Sequence, residues 1–289
     1  MKPPKFSYVR VSSLGEAVQL LAEHGNDASI LAGGQSLMPS LNMRLSRPNL
    51  LIDINRLDVL KGISVRDGVV RIGALTRHVE VLNSSIVAQH LPLIAEAMPQ
   101  VAHVAVRNRG TFGGSVALAD PSAEMPACAL ALGATLVLES VRGRRTVAIE
   151  DYFKGLYETA REPDELLVEA LIPIEKPRYV SAFLEINRRH GDFAIAGIAC
   201  HALIESKVIA DARLVYFGSE DKPTLAKRAA AAIVGQTWSE ACADAACAAL
   251  ARDLSPMANA FGRPATKMHL QQVLTKRALT TAVERAGLQ

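Results

Sequence analysis

At 289 residues, with 49% hydrophobic, 21% charged and 4% aromatic residues, the chain has an ordinary globular balance and the length for one large domain or two to three small ones. A formal net charge of +3, spread along the chain, leaves no footprint for a nucleic acid, and so few aromatics offer little to stack bases on. No window reaches about 18 uninterrupted apolar residues, so no transmembrane segment is expected.

The N-terminus, MKPPKFSYVRVSS, has no apolar core of the secretory kind, and the chain reads as cytoplasmic. Ser12 or Ser13 is placed to cap a helix from Leu14 to about His24, with Glu16 in the first turn and Gly25 as a stop. SILAGG, from Ser29, predicts a buried strand running into a glycine turn, and LLIDI, from Leu50, a second strand. Residues Ile63 to Leu75 alternate around Asp67–Gly68, the pattern of a hairpin with a primed turn. A helix is expected to begin at Thr76, and another at LPLIAEAM, from Leu91. Residues Arg107 to Ala127, rich in glycine and proline, read as loop. ACALALG then gives a helix, ATLVLES a strand, VRGRRTVAI a basic hairpin and ELLVEALIPI a further strand.

Past Pro173 and Pro177 the texture changes. FLEINRR, AIAGIACHALIE and ADARLVYFG predict three strands of an antiparallel sheet, and the remainder reads as helices. Strands followed by helices give an α+β protein rather than a doubly wound sheet, with a boundary near Lys176. Cys128, Cys200, Cys242 and Cys247 form no CxxC pair. They read as buried, reduced thiols with no spacing for an iron–sulfur cluster.

Two glycine pairs carry the functional signal: Ala32-Gly33-Gly34-Gln35-Ser36 and Thr111-Phe112-Gly113-Gly114-Ser115. Consecutive glycines let backbone N–H groups converge on one concavity that suits phosphate oxygens, and the hydroxyls of Ser36, Thr111 and Ser115 add donors. There is no GxxxxGK[ST] and no GxGxxG after a first strand. Each pair alone is as well explained by a simple turn; two in one chain leave room for an extended diphosphate between them. The sequence presents no Ser/His/Asp triad, metal-ligand cluster or catalytic carboxylate pair.

The stretches LAGGQSLMPSLNMRLSRPNLLIDINRL, VRNRGTFGGSVALADPSAEMPACALALGA, DELLVEALIP and RRHGDFAIA, in that order, resemble the FAD-binding medium subunit of the molybdenum hydroxylases, the group of bacterial carbon monoxide dehydrogenase and the xanthine dehydrogenase flavin domain. The resemblance implies an α+β fold: a two-part FAD-binding domain of the vanillyl-alcohol-oxidase/PCMH type over 1–175, with subdomains of about 1–58 and 59–175. A smaller C-terminal domain over 176–289, a three-stranded antiparallel sheet plus helices, follows.

The resemblance also implies non-covalent FAD. Leu31, Ala32, Gly33, Gly34, Gln35, Ser36 and Leu37, with Thr111, Phe112, Gly113, Gly114 and Ser115, would cradle its pyrophosphate. Glu124 stands where relatives carry an Asp that accepts from sugar or ribityl hydroxyls, and Asp120 is the weaker candidate. Leu167 would meet the flavin ring through its backbone. Phe193 would lie near the ring, without the hydroxyl of the tyrosine common in relatives. Arg188 and Arg189 are candidates to offset phosphate charge or simply solvated cations. The implied partners are a large molybdenum–pterin subunit and a small subunit with 2Fe–2S clusters, in a dimer of heterotrimers, and electrons would leave to an external acceptor. The alternative, a self-sufficient FAD-dependent oxidase or dehydrogenase, needs a substrate pocket with its own base, for which the sequence offers no candidate.

Overall fold

The computed structural model describes residues 2–287; Met1, Leu288 and Gln289, the ends of the expected domains, lie outside the described residues. The chain opens with β1 (Ser7–Arg10), α1 (Leu14–His24), β2 (Ala28–Leu31), α2 (Leu37–Asn42) and β3 (Leu50–Asp53). Ser13 caps α1 by accepting the Glu16 amide, and Gly25 ends it with φ +49°. Both β1 and β2 pair in parallel with β3, which is therefore central and buried along its whole length. Its uninterrupted Leu-Leu-Ile run is what a strand covered on both sides needs.

The hairpin follows as β4 (Ile63–Arg66) and β5 (Val69–Gly73), and its turn residues Asp67 and Gly68 both have positive φ, +52° and +75°. Short helices come next: α3 (His78–Leu82), α4 (Ser85–His90), α5 (Pro92–Ala97), α6 (Val104–Arg107), α7 (Phe112–Leu118) and α8 (Glu124–Ala131). Two expectations change here. The helix expected at Thr76 starts at His78, because Arg77 is the N-cap and Glu80 accepts its backbone amide. The stretch from Arg107 to Ala127, expected as loop, holds all of α7 and the start of α8. Glycines disfavour a helix by about 1 kcal/mol each, but Gly113 packs directly on Ala74, and Thr111 caps the first turn.

The strands β6 (Thr135–Ser140) and β7 (Gly143–Ala148) form the basic hairpin. Then come α9 (Ile149–Tyr152), the small hairpin β8 (Phe153–Gly155) and β9 (Glu158–Thr159), and β10 (Leu166–Pro173). Strand β10 joins the two larger hairpins into a five-stranded antiparallel sheet, β4-β5-β10-β6-β7.

The last part is β11 (Tyr179–Ile186), β12 (Ala196–Glu205) and β13 (Val208–Phe217), followed by β14 (Thr224–Leu225), α10 (Lys227–Ala231), α11 (Glu240–Ala249) and α12 (Pro264–Arg285). The expected three-stranded sheet gains a two-residue fourth strand, β14, on the β13 edge. On β12, Ile198, Cys200 and Ala202 enter a core shared with α11 and α12, while Ala199 points into the core around α5 and α8. The sheet is thus covered on both faces. The buried face of α12 is partly polar: Lys267 donates to the Gly218 carbonyl at 3.1 Å, and Gln271 to the Phe217 carbonyl at 3.1 Å. All four cysteines are buried and unpaired.

Candidate functional site

The first glycine turn links β2 to α2. Gly34 has φ +71°, a region that costs a residue with a Cβ about 1–2 kcal/mol. Among the described residues, the amides of Gly33, Gly34, Gln35 and Ser36 have no acceptor in the chain. The turn is held from behind. The Asn55 side-chain amide donates to the Leu31 carbonyl at 3.2 Å and to the Ala32 carbonyl at 2.8 Å. Asn55 is itself oriented by Asp53, which accepts both its backbone and its side-chain N–H groups at 2.9 and 2.7 Å. Burial pushes the Asp53 carboxyl up, but hydrogen bonds from Tyr8, Asn55 and Arg10 outweigh it and hold the pKa at about 2.

The second glycine pair is not a loop but the first turn of α7. Thr111, 2% exposed, caps it by accepting the Gly114 amide at 3.1 Å. The Phe112 amide donates to the Thr76 carbonyl at 2.9 Å and the Gly113 amide to the Ala74 carbonyl at 3.0 Å. The backbone amides expected here for an anion are therefore spent inside the chain. A Cβ on Gly113 would stand 2.4 Å from the Ala74 Cβ, so this glycine exists for backbone packing. The Ser115 hydroxyl has no partner among the described residues.

The two turns touch. A Cβ on Gly33 would lie 2.5 Å from the Arg109 carbonyl oxygen and 2.8 Å from the Gly110 Cα. Arg77 closes the seam, donating from Nη2 to Asn55 Oδ1 at 2.6 Å and from Nη1 to the Arg109 carbonyl. Leu167 is tied to the same place. Its neighbour Val168, at a bulge in β10, accepts the Ala74 amide at 2.9 Å, while the Leu167 side chain sits in the core. Leu31 to Leu37, Thr111 to Ser115 and Leu167 are thus one assembly. Asn55 and Arg77 are its unforeseen members. The turn-forming Asp53-Ile54-Asn55 was the only local signal for the first, and nothing local marks the second.

Asp120, Glu124 and Phe193 gather beyond the far end of α7, which at seven residues is about 10 Å long. Asp120 accepts the Ser122 amide at 2.9 Å and the Tyr157 hydroxyl at 3.2 Å. The Gly218 amide donates to the Pro121 carbonyl at 2.8 Å, and Gly218 packs on Ala194 and Ile195, which follow Phe193. Phe193 is 63% exposed, in a turn that rests on His103 through Gly191. Arg188 and Arg189 are exposed in the same turn. Burial, and then the charge of Asp120, raise the Glu124 carboxyl to about 7. Burial, and then Glu124, raise Glu185 on β11 to about 8, and its Oε2 is buried with no partner. A charge on Glu124 thus disfavours a second one on Glu185.

Two surface cavities, of about 390 and 540 Å³, lie elsewhere, one beside Glu96, Ser181 and Arg285 and the other along Arg142 to Arg145. None of the expected residues lines either. No cluster of His, Cys, Asp and Glu that could hold a metal occurs among the described residues.

Two family models match. The one described as the FAD binding domain in molybdopterin dehydrogenase covers residues 4–175, and the CO dehydrogenase flavoprotein C-terminal domain covers 181–282. The 6-hydroxypseudooxynicotine dehydrogenase complex subunit alpha of Paenarthrobacter nicotinovorans is 38% identical over 99% of this chain and 97% of its own length. Caffeine dehydrogenase subunit beta of Pseudomonas sp. (strain CBB1) is 42% identical over 82% and 76% of the two chains. Among solved structures, a chain of the carbon monoxide dehydrogenase of Hydrogenophaga pseudoflava, in a form lacking the molybdopyranopterin moiety of its cofactor, superposes with a TM-score of 0.96 at 37% identity, covering 99% of both chains. With both family models, full-length relatives and the whole fold in agreement, the chain belongs to the FAD-binding medium subunits of the molybdenum hydroxylases.

Proposed function

We propose that this chain holds FAD non-covalently and passes electrons from the 2Fe–2S clusters of a small partner subunit to an external acceptor, while substrate is hydroxylated at a molybdenum–pterin centre on a large partner subunit. The observation that carries the reading is the first glycine turn, whose four neighbouring amides have no acceptor among the described residues and suit an anion. Bound FAD supplies the redox chemistry; the protein supplies binding, orientation and electrostatics.

In this reading Leu31 to Leu37 hold the diphosphate through backbone N–H groups. Thr111 to Ser115 form its opposite wall and offer the Ser115 hydroxyl. Glu124, with Asp120 as the lesser partner, accepts from hydroxyls of the sugar or ribityl chain. Leu167 meets the flavin ring through its backbone, and Phe193 lies near the ring. Residues 1–175 form the FAD-binding domain, divided near residue 58, and 176–289 form the second domain. The subunits assemble as a dimer of heterotrimers in the cytoplasm.

The test is spectroscopic. The purified chain is expected to carry, or to take up, FAD with a yellow flavin absorption. Anaerobic addition of heterocyclic substrates to the chain alone is expected to leave that absorption unchanged, whereas adding the partner subunits makes it bleach. Bleaching by substrate without partners would overturn the electron-transfer role in favour of a self-sufficient dehydrogenase.

A further inference from the structure

Two arginines, Arg77 and Arg109, meet at the seam between the glycine turns, and neither has a carboxylate within ion-pairing distance among the described residues. Arg77 is half-buried and fixed by two neutral acceptors, the Arg109 carbonyl and Asn55 Oδ1. The acids that face it are committed elsewhere. Glu80 turns its carboxylate to the Arg77 backbone amide at 2.6 Å, and Asp53 is held by Tyr8, Arg10 and Asn55. The Arg109 side chain is exposed and has no hydrogen-bond or ion-pair partner among the described residues. Burial, and then the charge of Arg109, lower the Arg77 pKa from its ordinary value.

Keeping a partly desolvated cation unpaired beside a second cation is costly, and an anion between them relieves the cost. With two of its N–H groups engaged, Arg77 keeps about three free, in the planar fork that matches phosphate oxygens. The second glycine turn cannot supply this compensation, since its amides already serve Thr76, Ala74 and Thr111.

We infer that Arg77 and Arg109 clamp the diphosphate of a bound dinucleotide from the seam, adding positive charge opposite the open amides of Gly33 to Ser36. The inference rests on the flavin reading for the identity of the dinucleotide. It takes the task of phosphate neutralisation from Arg188 and Arg189. Asn55 becomes a positioning residue: it grips the carbonyls of Leu31 and Ala32 with its amide and Arg77 with its oxygen, which sets the width of the slot.

The test uses the full chain stripped of flavin and titrated by calorimetry with FAD, ADP, pyrophosphate and riboflavin. Arg77→Gln is expected to weaken FAD, ADP and pyrophosphate about 10–100-fold, the loss of one or two charged hydrogen bonds. Arg109→Gln, at an exposed position that folding tolerates, is expected to weaken them about 3–10-fold. Riboflavin, which has no phosphate, is expected to keep its affinity in both variants, a selectivity that a purely structural role would not give. Arg77→Lys is expected to regain part of the loss, and the salt dependence of FAD binding is expected to flatten in Arg77→Gln. FAD binding unchanged in both glutamine variants, or FAD and riboflavin weakened equally, would overturn the clamp. A wild-type chain that binds pyrophosphate through Arg77 but no flavin would support the clamp and sink the flavin reading; one that binds neither sinks both.

Discussion

Gly34 and Gly113 sit in similar-looking pairs, yet the backbone asks different things of them. Gly34 is needed for its φ of +71°, and the atoms nearest a Cβ there are the flexible ends of Leu31 and Met38, at 3.1 and 3.2 Å. Glu124 and Glu185 pose another residue-scale problem, because burial lifts both pKa values above 4.5, to about 7 and about 8. The unfolded chain ionises these groups first as pH rises. Their contribution to stability is therefore undiminished below about pH 4.5 and falls as pH climbs through the folded values. Glu185→Gln is expected to melt above the wild type at about pH 8, with the gap closing near pH 5. Calorimetric scans at the two pH values check this; an equal gap at both would assign the effect to packing.

At the scale of elements, α7 is where glycine chemistry and tertiary contact meet. Gly113→Ala drives a Cβ to 2.4 Å from that of Ala74. Overpacking of this kind costs about 1–3 kcal/mol, and the contact runs on through Val168 to β10. Gly34→Ala, by contrast, is expected to cost about 1 kcal/mol while loosening FAD. Urea unfolding paired with flavin release from the two variants separates the effects; a Gly34→Ala chain that loses more stability than Gly113→Ala and keeps its flavin would contradict the different roles given to the glycines. The same helix marks the limit of what could be read from sequence. Helix α1 was legible because Ser13, Glu16, Gly25 and the apolar spacing are all local. The hairpin at Asp67–Gly68 was legible for the same reason. Helix α7 was not, because two glycines argue locally against it and the packing on Ala74 that offsets them comes from far back in the chain. The seam is the extreme case. Arg77 reaches Asn55 and Arg109 across 22 and 32 residues, and no pattern in the chain announces such a meeting. The glycine motifs pointed to the candidate site; long-range approach determined which of its amides stay open.

At the scale of the whole molecule, three cores are stacked along the chain. The last sheet lies between two of them, with Phe183 and Phe217 turned one way and Ile198 and Tyr216 the other. Arg213 binds these layers. It reaches from β13 to the last carbonyls of α8, at Leu130 and Ala131, with 2.8 and 2.9 Å bonds, and to Glu150. A cation at a helix C-terminus complements the partial negative charge there. The cysteines fall on either side of this division. Cys128 is in the central core, and Cys200 and Cys242 are in the C-terminal one. Burial pushes the Cys200 thiol up to about 12 and the Cys128 thiol well above its ordinary value. A thiol reagent therefore reaches either sulfur only when its own layer opens. The molecule carries a built-in pair of stopwatches. Pulse alkylation in mild urea, read by mass spectrometry, is expected to label Cys128 and Cys200 at different rates if the layers part separately and at one common rate if Arg213 and the shared sheet make them yield together.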